Sequence, residues 1–179
     1  KGTSFTVFKE LTDPSLINFW IGDLIAIIGY NNQNNKGFLA EIDSANGGLI
    51  DSTYIQTDDE PNKIFYPYSV HHDSFGTLYI VGYTEGNFIS PLSPFGGNDI
   101  FITKYRYYTI GTVTKFREIW IRQFGSSLND FVHFSKSIHV SPVGEIFMAG
   151  YTQGDFKKSK LLVDNNTYIE VEEVGRLGI

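Results

Sequence analysis

The stretch Gly144-Glu-Ile-Phe-Met-Ala-Gly-Tyr-Thr-Gln-Gly154 decides the fold, because the chain says it more than once. Gly76-Thr-Leu-Tyr-Ile-Val-Gly-Tyr-Thr-Glu-Gly86 repeats it upstream, and Gly22-Asp-Leu-Ile-Ala-Ile-Ile-Gly-Tyr30 is a third version. Each version opens at a turn glycine, runs through an apolar strand and stops at Gly-Tyr. Residues that recur in every unit serve what every unit must do, which is to pair, turn and stack. The phrase therefore reports architecture, and a specific activity is expected where the units differ.

Working outward, the second and third units read as hairpins. Tyr68-Ser-Val-His-His72 and Ser137-Ile-His-Val140 are first strands, followed by the turns Asp73-Ser-Phe-Gly76 and Ser141-Pro-Val-Gly144. Superposing Gly76 on Gly144 places Val70 on Ile138, His71 on His139 and Gly82 on Gly150. Two further strands follow in each unit. They are residues 99–105 and 118–124 in the second unit, and 37–43 and 49–56 in the first, the latter pair joined by the turn Ser44-Ala-Asn-Gly-Gly48. The third unit is expected to end with strands over 160–164 and 168–172 about an Asn165-Asn166 turn. Four consecutive antiparallel strands per unit is the grammar of a β-propeller blade. The reading is an all-β propeller segment of about three four-stranded antiparallel blades, an incomplete ring. Its divisions are 1–12 as the outer strand of a preceding blade, then blades over 13–57, 58–125 and 126–179. Three blades do not close a propeller, so the chain reads as a segment of a longer polypeptide or a piece that closes against other chains. An isolated arc exposes two blade faces.

Composition agrees. The 179 residues include 15 Phe, 11 Tyr and 18 Gly, which suits strands and turns better than helices. A net charge of −6 argues against a surface built to neutralise phosphates, so no nucleic-acid partner is expected. Lys157, Lys158 and Lys160 read as a solvated loop. No apolar run is long enough for a membrane-spanning helix. With no cysteine, disulfides and thiolate metal sites are excluded.

The wording also resembles a known family. Asp99-Ile-Phe-Ile-Thr-Lys-Tyr105, Ile119-Trp-Ile-Arg-Gln-Phe-Gly125, Asp130, Ile138-His-Val140 and Gly144 to Thr152 are similar to the SBBP repeat of seven-bladed β-propellers. The likeness is good over 76–154, fainter over 22–73 and fades past 157. It implies the fold, about three blades of a longer propeller, and an interaction or surface role. It supplies no catalytic motif to carry over, and it tilts localisation towards the cell surface while leaving an intracellular assembly open.

Candidate chemistry is sparse. His71, His72 and Asp73 have metal-binding side chains, but strand neighbours point to opposite faces and His71 recurs as His139, so they read as structural. Asp99 and Asp130 at strand starts read as acceptors of backbone N–H groups in tight turns. Thr57-Asp58-Asp59-Glu60 lacks the spacing of a calcium loop. Ser126 and Ser127 sit in no nucleophile elbow, Gly47-Gly48 and Gly96-Gly97 lie in hairpins rather than a phosphate loop, and Asn165 heads a lone sequon. Trp20 and Trp120 read as packing between blades. No catalytic, cofactor or metal site is expected, and the chain does not read as an enzyme. The units differ most in two insertions of the second, 85–97 and 106–116. Loops on a rigid scaffold are where recognition concentrates. Phe88, Phe95, Arg106, Tyr107 and Tyr108 are therefore the candidate partner-binding residues. The sequence-level function is a non-catalytic scaffold for contacts with other protein chains; the alternative is a cell-surface glycan-binding or adhesion module.

Overall fold

The computed structural model describes residues 2–9, 23–31, 33, 35–55, 63–73, 77–88, 95–110, 113–132, 136–155, 158–164 and 167–172. Within them the chain is all strand and turn. Strands β1 (Gly2–Lys9), β2 (Asp23–Asn31), β3 (Lys36–Asp43) and β4 (Leu49–Ile55) form one antiparallel meander in that order. A second meander contains β5 (Phe65–His72), β6 (Thr77–Thr84), β7 (Asp99–Ile110) and β8 (Val113–Gly125). The third unit is smaller. Its β9 (Asp130–Phe131) pairs with β12 (Tyr151–Thr152), and β10 (Ile138–Val140) pairs with β11 (Ile146–Met148). The hairpin of β13 (Lys158–Asp164) and β14 (Thr167–Glu172) extends the second sheet to six strands, through Lys158↔Gly125 and Lys160↔Gln123.

Repeated turns close the hairpins by one device. Asp73 Oδ1 accepts the Thr77 N–H at 2.9 Å, and Ser141 Oγ accepts the Glu145 N–H at 3.0 Å. A short polar side chain thus supplies the partner that the backbone lacks across the turn. Gly144 completes its turn with φ +87°, a left-handed conformation that costs glycine nothing. Between β3 and β4, Asp43 Oδ1 takes the Ala45 N–H at 2.7 Å.

Alternation along the strands sends apolar side chains to both faces of the second sheet. One face, with Leu78, Ile80, Phe101 and Ile121, packs on Ala26, Ile28, Leu39 and Ile55 of the first sheet. The other, with Tyr79, Val81, Ile100 and Ile102, packs on Val132, Ile138 and Val140 of the third unit. The layers run first sheet, second sheet, third unit, and the middle sheet is buried on both sides.

Four expectations change. Residues 2–9 are not the outer strand of a preceding unit; they pair with β2 from Phe5↔Ile27 to Lys9↔Asp23 and open the first sheet. The segment 106–116 is not an inserted loop, because β7 and β8 stay paired through Ile110↔Val113. Tyr, Thr, Ile and Val dominate it, and those residues favour the pleated strand. The strand expected over 145–152 breaks at 149–150, its halves pairing with β10 and β9. Finally, the 158–172 hairpin forms but joins β8, whose outer edge offers backbone groups to pair. The sheets do not close on themselves among the described residues.

Candidate interaction surface

The tyrosines of the repeated phrase meet in one row. Tyr30 stands 4.9 Å from Tyr66, Tyr66 stacks on Tyr83 at 5.3 Å and 6° between planes, Tyr83 meets Phe131 at 5.2 Å, and Phe131 meets Tyr151 at 5.3 Å. The row crosses all three layers. Strand pairing sets its spacing, since Tyr66 is opposite Tyr83 and Phe131 opposite Tyr151. Each contact adds about 0.5–1.5 kcal/mol beyond the area it buries. Burial, joined by the Glu85 charge at Tyr30 and Tyr83 and by neighbouring phenols, raises the phenol pKa of Tyr30, Tyr66 and Tyr83. The Tyr30 hydroxyl donates to Asn35 Oδ1 at 2.7 Å.

The rest of the phrase supports the row. A Cβ at Gly82 would overlap the Tyr66 carbonyl and lie 2.8 Å from the Phe101 ring; one at Gly150 would lie 2.5 Å from the Phe131 carbonyl. Thr84 and Thr152 each accept, through Oγ1, the N–H of the glycine two residues on, Gly86 at 2.8 Å and Gly154 at 3.0 Å. Gly-Tyr-Thr-x-Gly is thus one device: close approach, ring contact, then a hydroxyl-capped turn. The repeat announced Tyr30, Tyr83 and Tyr151 but not Tyr66 and Phe131. The available signal was an aromatic residue on the strand facing each Gly-Tyr.

The buried Asp99 and Asp130 are structural acceptors. Asp99 Oδ2 takes the Phe95 N–H at 2.9 Å, and Asp130 Oδ2 takes the Ser126 N–H at 2.6 Å, the same spacing in two units. Gln123, wholly buried, ties the second sheet to its neighbouring loop. Its Nε2 donates to Asp99 Oδ2 at 2.6 Å and to the Gly86 carbonyl, and its Oε1 accepts the Phe88 N–H. Sequence reasoning missed Gln123, since a single glutamine in an apolar strand carries no motif. Ser126 Oγ is engaged with Asp130, and Thr152 donates to it, so it belongs to this turn.

The histidines gather rather than diverge. His71 lies 5.9 Å from His72 and 5.0 Å, edge to face, from its repeat counterpart His139. Burial lowers the pKa of both His71 and His72, helped at His71 by the other two imidazoles. No group of three or more His, Cys, Asp or Glu among the described residues is placed to hold a metal ion. The Tyr105 hydroxyl donates to Glu118 at 3.3 Å, and burial raises the pKa of each.

The five expected partner residues separate. Phe88 is 7% exposed and wedged between Phe65 and Phe101 at 4.7 and 4.9 Å, so its ring fills the core. Phe95 is half-buried in the turn that Asp99 holds, and Arg106 is exposed. Tyr107 and Tyr108 occupy strand positions opposite Phe116 and Lys115. Trp120 packs on the second core with Arg122 over its ring at 5.0 Å. Trp20, Asp58 to Glu60, Asn165 and Lys157 lie outside the described residues, as does the 89–94 part of the other insertion.

Exposed apolar residues mark the two ends of the stack. On the first sheet, Leu49 and Tyr54 border an open depression of about 460 Å³ that Tyr30 and Phe38 also line. On the third unit, Ile146, Phe147 and Tyr151 face solvent. No protein-family model matches the chain, and no curated protein sequence matches it; the likeness to SBBP repeats rests on the quoted phrases alone.

Proposed function

We propose that the chain is a β-propeller segment, three consecutive units of an incomplete ring, and serves as a non-catalytic scaffold for protein–protein assembly. The observation that carries this reading is the stack: its middle sheet is covered on both faces, while each end layer keeps exposed aromatic and aliphatic residues. Large apolar side chains left at a rigid surface are the usual mark of a protein contact. Asp99, Asp130 and Gln123, three of the wholly buried polar groups, are engaged in turns and strand anchoring. In this reading the third unit consists of the short strands β9 to β12, paired β10 with β11 and β9 with β12. The β7–β8 hairpin supplies a second contact element. It runs on past Arg106, where β6 stops, with Tyr107, Tyr108 and Lys115 along it.

A glycan-binding surface is the second reading, favoured by Tyr54, 51% exposed at the edge of the open depression beside Asn31 and Ser52. Two measurements on the purified chain separate them. The scaffold reading expects background signal on a glycan array and sedimentation above monomer mass. Glycan binding abolished by Tyr54→Ala, with monomeric sedimentation, would replace it.

A further inference from the structure

We infer that copies of this chain associate head to tail, the outward face of the third unit packing on the open face of the next copy's first sheet. The inference rests on the scaffold reading and names the partner. Aligning the units on Tyr30, Tyr83 and Tyr151 places Ile25 and Ile27 on Leu78 and Ile80, and Phe147 on Tyr79. In the second sheet these positions form the two halves of the interlayer contacts. Leu78 and Ile80 are wholly buried against the first sheet, and Tyr79 is 4% exposed against the third unit.

At the ends of the stack the same positions have no neighbouring layer among the described residues. Phe147 is 57% exposed. Ile25 and Ile27 are half-buried on a face shared with Phe38, Leu49 and Tyr54, as the pairings Gly29↔Phe38, Ile27↔Ala40, Phe38↔Tyr54, Ile25↔Ile42 and Ile42↔Leu49 establish. Phe38 corresponds through the strand pairing to Phe101, which is fully buried in the second sheet. One end of the molecule therefore presents the forward half of a contact that the chain buries twice internally, and the other end presents the backward half. Two different patches that complement each other make a heterologous contact, not a two-fold one. A second copy brings the missing half in the required register. Because each copy carries net charge −6, added salt should strengthen the contact by screening repulsion.

The test uses analytical ultracentrifugation of the whole chain and two variants, Leu49→Lys/Tyr54→Lys on the first sheet and Phe147→Lys on the third unit. All three positions are solvent-exposed; a thermal melt confirms that each variant folds, and serine replaces lysine where one does not. The wild type is expected to sediment as dimers and larger species, and each variant alone as a monomer, its association weakened about tenfold or more. An equimolar mixture of the two is expected to give a one-to-one dimer, because each variant retains the face that the other needs. A monomeric wild type, either variant associating like wild type, or a mixture that stays monomeric would overturn the proposal. An isologous dimer, in which one variant keeps full association, would remove head-to-tail packing while leaving the scaffold reading standing.

Discussion

Gly82 and Gly150 show how a side-chain-free position can organise a repeat. Each lets the chain approach the carbonyl of an aromatic residue on the facing strand, Tyr66 or Phe131, which pairs with the following tyrosine, and that approach sets the spacing of the row. Gly82→Ala drives a methyl into a carbonyl and a packed Phe101 ring, so a loss of about 1–3 kcal/mol is expected in urea melts. Gly150→Ala, at an exposed two-residue pairing that can yield, should cost less, about 1 kcal/mol. Equal and negligible losses would remove the role assigned to both. His71 offers a test with pH. Burial first, then His139 and His72, hold its pKa below the ordinary value of about 6.5. The unfolded chain therefore binds the proton more readily. The stability contributed is full above the unfolded value and is lost as pH falls through the depressed folded value. Between pH 7 and 5 the melting temperature of wild type should fall more steeply than that of His71→Gln, and parallel curves would contradict this. At this scale the sequence was readable wherever a residue recurred. Gln123 and Tyr66 were not, because a satisfied polar hub or a cross-strand ring is defined by its neighbours rather than by its own chain context.

Among the elements, the β7–β8 hairpin is the one misread as a loop, and the reason is instructive. Comparison between units counted 106–116 as an insertion, while its own composition of Tyr, Thr, Ile and Val favours strands, and β7 and β8 pair through Ile110↔Val113. The hairpins 65–84 and 36–55 were legible because turn residues and alternation agreed. The pairing of β13 with β8 was not, since which edge a hairpin joins depends on tertiary placement. In the arm beyond Arg106↔Arg117, Phe116 packs partly buried against the first cluster. Replacing 107–116 by Asn-Gly, a two-residue turn suited to a hairpin, should keep the β-sheet signal and cost about 1–2 kcal/mol for the lost Phe116 packing. Complete unfolding would show that the arm is part of the core rather than a projecting contact element.

For the whole molecule, coverage differs layer by layer, and stability should follow it. The second sheet has apolar neighbours on both faces and the Gln123 anchor within it; the first sheet and third unit each have one covered face. Opening β6 or β7 would expose both cores, whereas opening β11 or β4 uncovers one. Amide exchange reports these local openings, because a backbone hydrogen bond exchanges at the free energy of the smallest unit whose opening breaks it. Ile80, Val81, Phe101 and Ile102 are therefore expected to be the most protected amides, with Ile146 to Met148 and Ser52 to Tyr54 exchanging faster by about tenfold or more. Raising the protein concentration adds a second readout. If the end faces meet in a partner, protection should rise at Phe147 and Tyr54 while Val81, already covered, stays unchanged. A flat pattern at dilution, with β4 and β11 as slow as β6, would mean that the layers unfold together and that the ends are not the weak, contact-seeking parts of the stack.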